Sequence, residues 1–513
     1  MIDNTLHDEL NKLGKSGIID GLFRTVAFGL SFAINIVIAR LVGASPIGIV
    51  AVLISLLTIA SIIPSFGLNL GILRIVPEQI SKKNYADIHW TIQGTYVLVL
   101  FNSLMLILFY WMFRSSIIGL PFFQAIHNYF LIDAAILLLP FVAFTAINQS
   151  LFTSIQRNYY STIYDQIVKN VLKVAALVFF ISLFSNDVAL LFATATGIVI
   201  AFIVEITIIV RYFKKHYSVR LLRGNINIQA IRKVFLFSYS LVLIPFMTSS
   251  SREIDLWISS AYLSSKEIGV YSIIRTIGAV IIFPLAMFGE IFVISALKLQ
   301  RLSNKGDANK LFMISVKWIF ICSSFIFCVL YAFSDMILSL FGSDFMAGAT
   351  ILKIFCAGQM VVCSFGAPGT VLLMIDKKNI LIFNSFLSLL FTIFTSIYFV
   401  RHFGLLGAAF SFLLTAVMAQ LLVVYQVKRY SIYRPGTGGQ YIKRTLLIII
   451  NLLLQEALLV ILPVTLSFLR VALQILCLLA GYVLYIFVIE RSDPVEKRYY
   501  KKVLTTLSHF AKT

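Results

Sequence analysis

Residues 39–49 read ARLVGASPIGI, and residues 260–270 read SAYLSSKEIGV. In each stretch an apolar run ends in a short polar turn, and the next apolar run begins with Ile, Gly and a β-branched residue. The two stretches are offset by 221 positions, and a weaker echo pairs residues 189–192 with residues 407–410. Matches at corresponding places in two halves of a chain indicate an internal repeat.

Apolar runs of membrane-spanning length fill the chain on both sides of these stretches. Of its 513 residues, 60% are hydrophobic and 12% are charged, about half the charge of an ordinary soluble domain. A helix needs about 20 mostly apolar residues to cross a bilayer. The sequence therefore predicts an all-α polytopic membrane protein with about 14 transmembrane helices. The runs lie near residues 17–41, 47–72, 89–113, 130–153, 162–184, 187–210, 234–259, 268–297, 313–333, 348–375, 379–400, 405–427, 445–465 and 471–489.

The distribution of basic residues predicts the orientation. With both termini in the cytoplasm, the inside segments carry 30 Lys and Arg and the outside segments four, and the other eight of the 42 lie within runs. Such an excess is typical of cytoplasmic loops. We therefore expect a multi-pass protein of the cell membrane. The net charge of +20 then needs no nucleic acid partner, and the basic tail is expected to contact membrane lipids.

The repeat and the basic linkers predict three parts. Residues 1–230 hold helices 1–6 as an N-lobe, and residues 231–427 hold helices 7–12 as a C-lobe. Residues 428–513 hold accessory helices 13 and 14 and a basic cytoplasmic tail. Six is an even number, so the two lobes are predicted to be parallel. Two six-helix lobes around a central cavity are typical of a transporter.

Short motifs in both halves carry a family resemblance. They are residues 38–43 through Gly48, Phe66–Asn69, Arg74–Glu78, Ile254–Trp257, Ile268–Tyr271 and Phe403–Ala409. With these motifs the chain resembles the multidrug/oligosaccharidyl-lipid/polysaccharide (MOP) exporter superfamily and, within it, the polysaccharide biosynthesis family of O-antigen-type oligosaccharide flippases. The resemblance implies that helices 1, 2, 7 and 8 border the cavity. It also implies alternating access that flips a polyprenyl-diphosphate-linked oligosaccharide for surface glycan assembly.

Ionisable residues within the runs are the candidate site residues, because a charge at the bilayer centre costs about 2.5–3.5 kcal/mol. Guanidinium groups bind phosphate oxygens through two hydrogen bonds at once, so a basic cavity suits a diphosphate. Helices 1, 7 and 8 carry four such residues, and Lys353 of helix 10 has no acidic residue near it on its own helix. The candidate substrate-binding residues are Arg24, Arg252, Asp255, Arg275 and Lys353.

A second group of charges suits pairing between neighbours or ion coupling. Asp20 lies four residues before Arg24, and a stripe at the same spacing favours ion pairs along helix 5. Isolated acids either pair across helices or carry a coupling ion, H+ or Na+. Amides such as Asn148 and Gln149 are expected to hydrogen-bond between helices. The group comprises Asp20, Asp165, Lys169, Lys173, Glu205 and Glu290.

Three other functions remain open on these residues. A multidrug or cation exporter of the same superfamily would favour an acidic cavity with aromatic cages. A peptidoglycan-precursor lipid flippase would use nearly the same physics as an oligosaccharide flippase. A membrane glycan polymerase would need catalytic groups on a large external loop, and the longest predicted outside segment is 114–129. We expect no enzyme activity, a monomer, and other glycan-assembly proteins as partners.

The cysteines and histidines predict neither a metal site nor a cofactor. All five cysteines lie inside apolar runs, and the six histidines are scattered without ligand spacing.

Overall fold

The computed structural model describes residues 23–123, 126–217, 234–236, 238, 242–289, 305–375, 377–431, 446, 448–455, 457, 473–474 and 476–482. All regular secondary structure within these ranges is helical. The principal helices, in chain order, are α1 (Phe23–Val42), α2 (Ala44–Ala60), α3 (Ile62–Ser65), α4 (Leu68–Ser81), α5 (Tyr85–Met112), α6 (Arg114–Ile118), α7 (Phe130–Ile136), α8 (Leu139–Ser154), α9 (Asn158–Ser161), α10 (Lys169–Phe180), α11 (Asn186–Tyr217), α12 (Leu243–Ser260), α13 (Ser265–Gly278), α14 (Lys305–Ala332), α15 (Ser334–Phe341), α16 (Ala349–Ser364), α17 (Pro368–Met374) and α18 (Lys378–Tyr430). A π-helical turn, Thr162–Val168, leads into α10.

Nine helical stretches in the described part of the chain are long and apolar enough to cross a membrane. They are Phe23–Val42, Ala44–Ser65, Asp87–Met112, Phe130–Ser154, Asn186–Tyr217, Ser265–Gly289, Phe312–Ala332, Ser343–Leu372 and Asn379–Tyr430. The last contains two of the predicted runs. The predicted class, an all-α polytopic membrane protein, is confirmed.

The other predicted runs show why the count of fourteen stays a prediction. Run 162–184 is helical, but it carries three charged residues, as does α12 within run 234–259. These charges reduce the apolar character on which a span is recognised. Most of runs 445–465 and 471–489 lies outside the described residues.

Two glycine motifs interrupt the helices. Run 47–72 is predicted as one helix, but Phe66 and Gly67 adopt left-handed φ angles of 41° and 74°, and α4 begins at Leu68. Gly404, with φ of 58°, separates the two predicted helices within α18. Glycine adopts such angles without the steric penalty of a Cβ atom. The apolar pattern continues through Phe66 and Gly67, so backbone conformation ends that helix where hydropathy does not, whereas the break at Gly404 falls between two predicted runs.

The described residues form two compact units. The first comprises those of 23–278, 335–355 and 377–419. In it α2 packs on α12 and α13, α10 packs on α11, and α4, α5 and α8 share a buried core that includes Leu68, Ile147 and Phe152. All of the ionisable candidate residues that the structure describes lie in this unit.

The second unit comprises the described residues of 279–334, 356–376 and 420–482. Its helix α14 is held by side-chain to backbone contacts: Ser323 donates a hydrogen bond to the carbonyl oxygen of Ile281 at 2.8 Å. The thiol of Cys363 donates to the same oxygen at 3.4 Å. The division into lobes 1–230 and 231–427 with a third part 428–513 stays a prediction.

Candidate functional site

The first turns of α2 and α13 cross with their backbones in contact, at the end of the molecule that the charge distribution predicts outside. A Cβ atom at Gly48 would overlap the carbonyl oxygen of Ser265 and lie 2.7 Å from the nitrogen of Gly269. A Cβ atom at Gly269 would overlap the carbonyl oxygen of Ala44. Positions 44 and 265, like 48 and 269, are offset by 221, so the contact is reciprocal between repeat equivalents. A self-complementary contact of this kind is what a two-fold relation generates.

Polar contacts at the same end brace the crossing. The guanidinium of Arg40, at the end of α1, donates to the carbonyl oxygen of Leu340 at 2.6 Å, where α15 ends. The ammonium of Lys266 lies 2.6 Å from Asp344, and the backbone N–H of Ala44 also donates to that carboxylate. Negative charge is favourable at a helix N-terminus, so Asp344 stabilises the start of α2, and its ion pair with Lys266 ties it to the first turn of α13.

Arg275 lies in a network that joins α12 and α13. Its guanidinium donates to the carbonyl oxygen of Arg252 at 2.6 Å and to Glu253 at 3.4 Å, and lies 3.7 Å from Asp255. The hydroxyl of Tyr271 donates to the other oxygen of Asp255 at 2.9 Å. Side-chain exposure is 20% for Arg275 and 6% for Asp255. One half-buried cation thus faces two carboxylates.

The remaining predicted substrate residues are more dispersed. The side chain of Arg252 is exposed, although its backbone oxygen belongs to the Arg275 network. Arg24 and Lys353 are half-buried. The structure therefore brings together Arg275, Asp255 and the backbone of Arg252. Asp20 and Glu290 lie outside the described residues, so the predicted pairing of Asp20 with Arg24 cannot be placed.

A second buried polar group joins α5, α8 and α11. The hydroxyl of Tyr96 donates to the amide oxygen of Asn148, whose nitrogen donates to Glu205 at 2.9 Å. Glu205 has 0% exposure. This chain of donors points from α5 through α8 to the carboxylate on α11. The interhelical hydrogen bond expected of Asn148 is present.

The charged stripe of helix 5 lies at the π-helical turn and the start of α10. Lys169 pairs with Asp165 at 2.5 Å, and Gln149 of α8 donates to the other oxygen of that carboxylate at 3.0 Å. A Cβ atom at Gly197 of α11 would lie 2.8 Å from the backbone oxygen of Lys169 and 3.5 Å from the Cβ of Lys173. Helices α10 and α11 are therefore closely packed beside the stripe.

Several residues of these networks were not predicted from sequence. Tyr96 and Tyr271 are aromatic residues within apolar runs, where nothing in the pattern distinguishes a hydrogen-bonding tyrosine from a lipid-facing one. Glu253 lies between two predicted residues, next to Arg252 and two positions before Asp255, and helical periodicity alone left its partner undetermined. The sequence did mark the two glycines of the reciprocal contact, because they occupy equivalent positions in the two repeated stretches.

Another isolated acid also has a partner. Asp133 of α7 accepts hydrogen bonds from Arg114 at 2.6 and 2.9 Å and from Tyr110 at 2.6 Å. A metal centre has no basis in the described part of the chain, where no three His, Cys, Asp or Glu side chains cluster in a way that would hold an ion.

Solved structures of membrane transporters share this fold. The chain is similar to a lipid II flippase, MurJ, in an inward closed conformation, with 14% identity, 92% of this chain and 100% of that chain covered, and a TM-score of 0.72. It is also similar to the MATE multidrug transporter DinF-BH, with 16% identity, coverage of 82% of this chain and 95% of that chain, and a TM-score of 0.59.

A further similarity is to an inward-facing multidrug resistance MATE family transporter of the MOP superfamily. Here identity is 13%, coverage is 80% of this chain and 97% of that chain, and the TM-score is 0.56. No curated protein sequence matches the chain. The family model for polysaccharide biosynthesis proteins matches residues 13–292, more than half of the chain. With the two repeated stretches inside that match, the chain belongs to the polysaccharide biosynthesis protein family, and it shares its fold with transporters of the MOP superfamily.

Proposed function

We propose that the protein flips a polyprenyl-diphosphate-linked oligosaccharide unit across the cell membrane by alternating access, for surface polysaccharide assembly. The family match over residues 13–292 carries this proposal, because it joins polysaccharide biosynthesis to a fold found in flippases and exporters. A lipid-linked sugar is the form of glycan on which a flippase of this fold would act. The protein then acts as a transporter and not as an enzyme.

The basic candidate residues supply the chemistry for the diphosphate. Arg252 is exposed, and Arg24 and Lys353 are half-buried, and in this proposal their charged groups face the water-filled cavity that binds the substrate. Arg275 is already faced by Glu253 and Asp255, and a diphosphate would compete with these carboxylates for its guanidinium. The prenyl tail stays in lipid throughout. Moving negative charge outward across a membrane that is negative inside is favourable by about 2.3 kcal/mol per charge per 100 mV.

The crossing of α2 and α13 supplies an outer gate. Backbones in contact at Gly48 and Gly269 leave no room for a sugar between these helices. Release to the outside therefore requires α2 and α13 to separate, with loss of the Lys266–Asp344 pair or its rearrangement. In this proposal the structure corresponds to a state closed to the outside, which loads substrate from the cytoplasm.

Binding to the purified full chain in liposomes tests the substrate class. We expect a polyprenyl-diphosphate sugar to bind in preference to a lipophilic cation, and Arg24→Ala and Arg252→Ala each to weaken binding about tenfold, the effect of losing about 1.4 kcal/mol. Arg401→Ala is the matched control, because Arg401 is exposed at a predicted outer turn. Preferential binding of the cation, with an affinity unchanged in Arg24→Ala and Arg252→Ala, would instead identify a multidrug exporter.

The same binding experiment distinguishes an oligosaccharide flippase from a peptidoglycan-precursor lipid flippase. Binding of lipid II at least as tight as binding of other diphosphate sugars would favour a peptidoglycan-precursor flippase. The MurJ structure is a lipid II flippase by its description, but 14% identity shows only the shared fold. Complementation then decides the cellular role: we expect loss of the gene to abolish a surface glycan and to leave cell-wall synthesis intact.

The proposed setting follows from the charge distribution. The protein lies in the cell membrane with both termini in the cytoplasm, functions as a monomer among other glycan-assembly proteins, and needs no cofactor. Protease accessibility of a C-terminal tag in sealed vesicles of known orientation tests the sidedness.

A further inference from the structure

Glu205 of α11 is a fully buried carboxylate with an incomplete set of partners. Its Oε2 accepts a hydrogen bond from the amide of Asn148, which is held in turn by Tyr96. Its Oε1 has no hydrogen-bond partner among the described residues, and the side chain has 0% exposure. An ionised carboxylate in such surroundings is unfavourable by several kcal/mol unless a cation pairs with it.

The charged groups that face Glu205 do not supply that cation. The π-helical turn and α10 present Asp165 and Lys169, and the ammonium of Lys169 lies 2.5 Å from the carboxylate of Asp165. Lys173 lies one turn further along α10, beside Lys169. In the described part of the chain no Lys or Arg nitrogen lies within 4.0 Å of Glu205. From α7 the only acid is Asp133, and Arg114 binds it. Tyr96 adds a neutral hydroxyl from α5.

We propose that Glu205 is a proton-binding site, protonated in the outer-closed state and deprotonated at another stage of the transport cycle. The inference rests on the proposed function only in that the cycle is one of flipping. The step is an acid dissociation: the carboxylic O–H breaks, its electron pair stays on Glu205, and the proton goes to water.

Oxygen chemistry favours a proton over a metal cation at this position. Hard cations take about six or more oxygen ligands. At Glu205 the neighbouring amide presents its N–H groups to the carboxylate, and its oxygen already accepts from Tyr96. No cluster of three or more His, Cys, Asp or Glu side chains is found among the described residues. A proton needs only the free carboxylate oxygen.

Close packing couples the site to helix movement. A Cβ atom at Gly197, about two helical turns before Glu205 on α11, would lie 2.8 Å from the backbone oxygen of Lys169, so α10 and α11 are closely packed beside the site. Deprotonated Glu205 needs either water or a cation, and because its side chain has 0% exposure, the entry of either one requires the helices packed around it to move. The π-helical turn at Asp165 provides a place for that movement, because such turns carry an extra residue that can be rearranged.

Infrared difference spectroscopy on the full chain in liposomes tests protonation directly. We expect a protonated-carboxyl band in the wild type that disappears in Glu205→Gln and shifts in Glu205→Asp, while Asp187→Asn, in the first turn of the same helix, leaves it unchanged. A band that survives Glu205→Gln would overturn the proposal. Glu205→Asp keeps the test valid if the Gln variant does not fold.

Transport in the same liposomes tests coupling. A pH gradient of one unit is worth up to about tenfold in substrate accumulation per proton. We expect this dependence for a polyprenyl-diphosphate sugar in the wild type and its complete loss in Glu205→Gln, with substrate binding retained. Dependence on a Na+ gradient, abolished by Glu205→Gln, would contradict a proton site. Absence of sugar transport with the infrared band intact would contradict the proposed function and leave protonation of Glu205 established.

Discussion

The two halves of the repeat share a backbone contact but not their charges. At the crossing, Ala44 and Gly48 of one half occupy the same positions as Ser265 and Gly269 of the other, and each glycine contacts the opposite helix. One α-turn further on, the correspondence is lost. Shared backbone geometry thus coexists with divergent side chains within one pair of helices.

The ionisable network of α12 and α13 has no counterpart in the first half. At the same offset of 221, Asp255, Tyr271 and Arg275 correspond to positions 34, 50 and 54, which are Ile, Val and Ile. Glycine is required at the crossing because any Cβ would overlap a carbonyl oxygen, and this requirement holds equally in both halves. Burying charged groups costs desolvation free energy, and within this pair of helices only the second half of the repeat contains such a network. We therefore expect symmetric effects of substitutions at the crossing and one-sided effects at the network.

Arg275→Ala should cause the largest loss of stability. It leaves the buried Asp255 and the neighbouring Glu253 without their cation, and breaking such a pair lowers the free energy of unfolding by about 3–5 kcal/mol. Thermal unfolding in detergent measures the loss, with Arg401→Ala as the exposed control. If the double variant Arg275→Ala, Asp255→Asn is no more stable than Arg275→Ala alone, the network is not electrostatic.

Tyr271→Phe should cause the next largest loss of stability. It removes a hydrogen bond of 2.9 Å to the Asp255 carboxylate, and hydrogen bonds to charged groups contribute about 1.5–3 kcal/mol to stability. The matched change in the first half, Val50→Ala, removes only apolar contacts and tests the one-sidedness of the network. Unfolding that is unaffected by Tyr271→Phe would show that the hydroxyl is not needed there.

Gly48→Ala and Gly269→Ala should act alike on the crossing. Each added Cβ meets backbone that must move, and overpacking of this kind costs about 1–3 kcal/mol, so the outer-closed population should fall about 5- to 150-fold. Spin labels at positions 41 and 262, which are exposed repeat equivalents, report the separation in a background without the five native cysteines.

Gly29→Ala is the control for both glycine variants, because a Cβ there meets nothing within 4 Å. It should be neutral or should stabilise α1 by up to about 1 kcal/mol, the helix propensity difference between alanine and glycine. An unequal response of Gly48→Ala and Gly269→Ala would break the symmetry inferred for the crossing.

Lys266→Ala should have the smallest effect on the crossing of α2 and α13. Its partner Asp344 is also exposed, and exposed ion pairs contribute less than about 1 kcal/mol and are screened by salt. The label distance between positions 41 and 262 should widen slightly at low ionic strength and match the wild type at high salt. A large change at high salt would show that the pair, and not the glycine contact, holds the crossing closed.

Much of the fold followed from the sequence, because hydropathy and positive charge repeat on the scale of a membrane span. The described helices lie where the apolar runs predict them, with Phe66 and Gly67 as a break that hydropathy does not register. Site residues followed less well. The pairing of Asp165 with Lys169 is local and was expected, whereas Tyr271 and Glu253 meet Asp255 and Arg275 only through contacts across or between helices.

The sequence by itself determined the class, the repeat and the two glycines, since these depend on composition and on spacing along the chain. Only the tertiary structure decided that Gly48 and Gly269 contact each other's helices, that Arg275 faces two carboxylates, and that Glu205 is sealed from water with one oxygen unpaired. A helix presents a face, but its partner depends on which other helix packs there. That choice is made by packing between segments far apart in the chain, which no local pattern records.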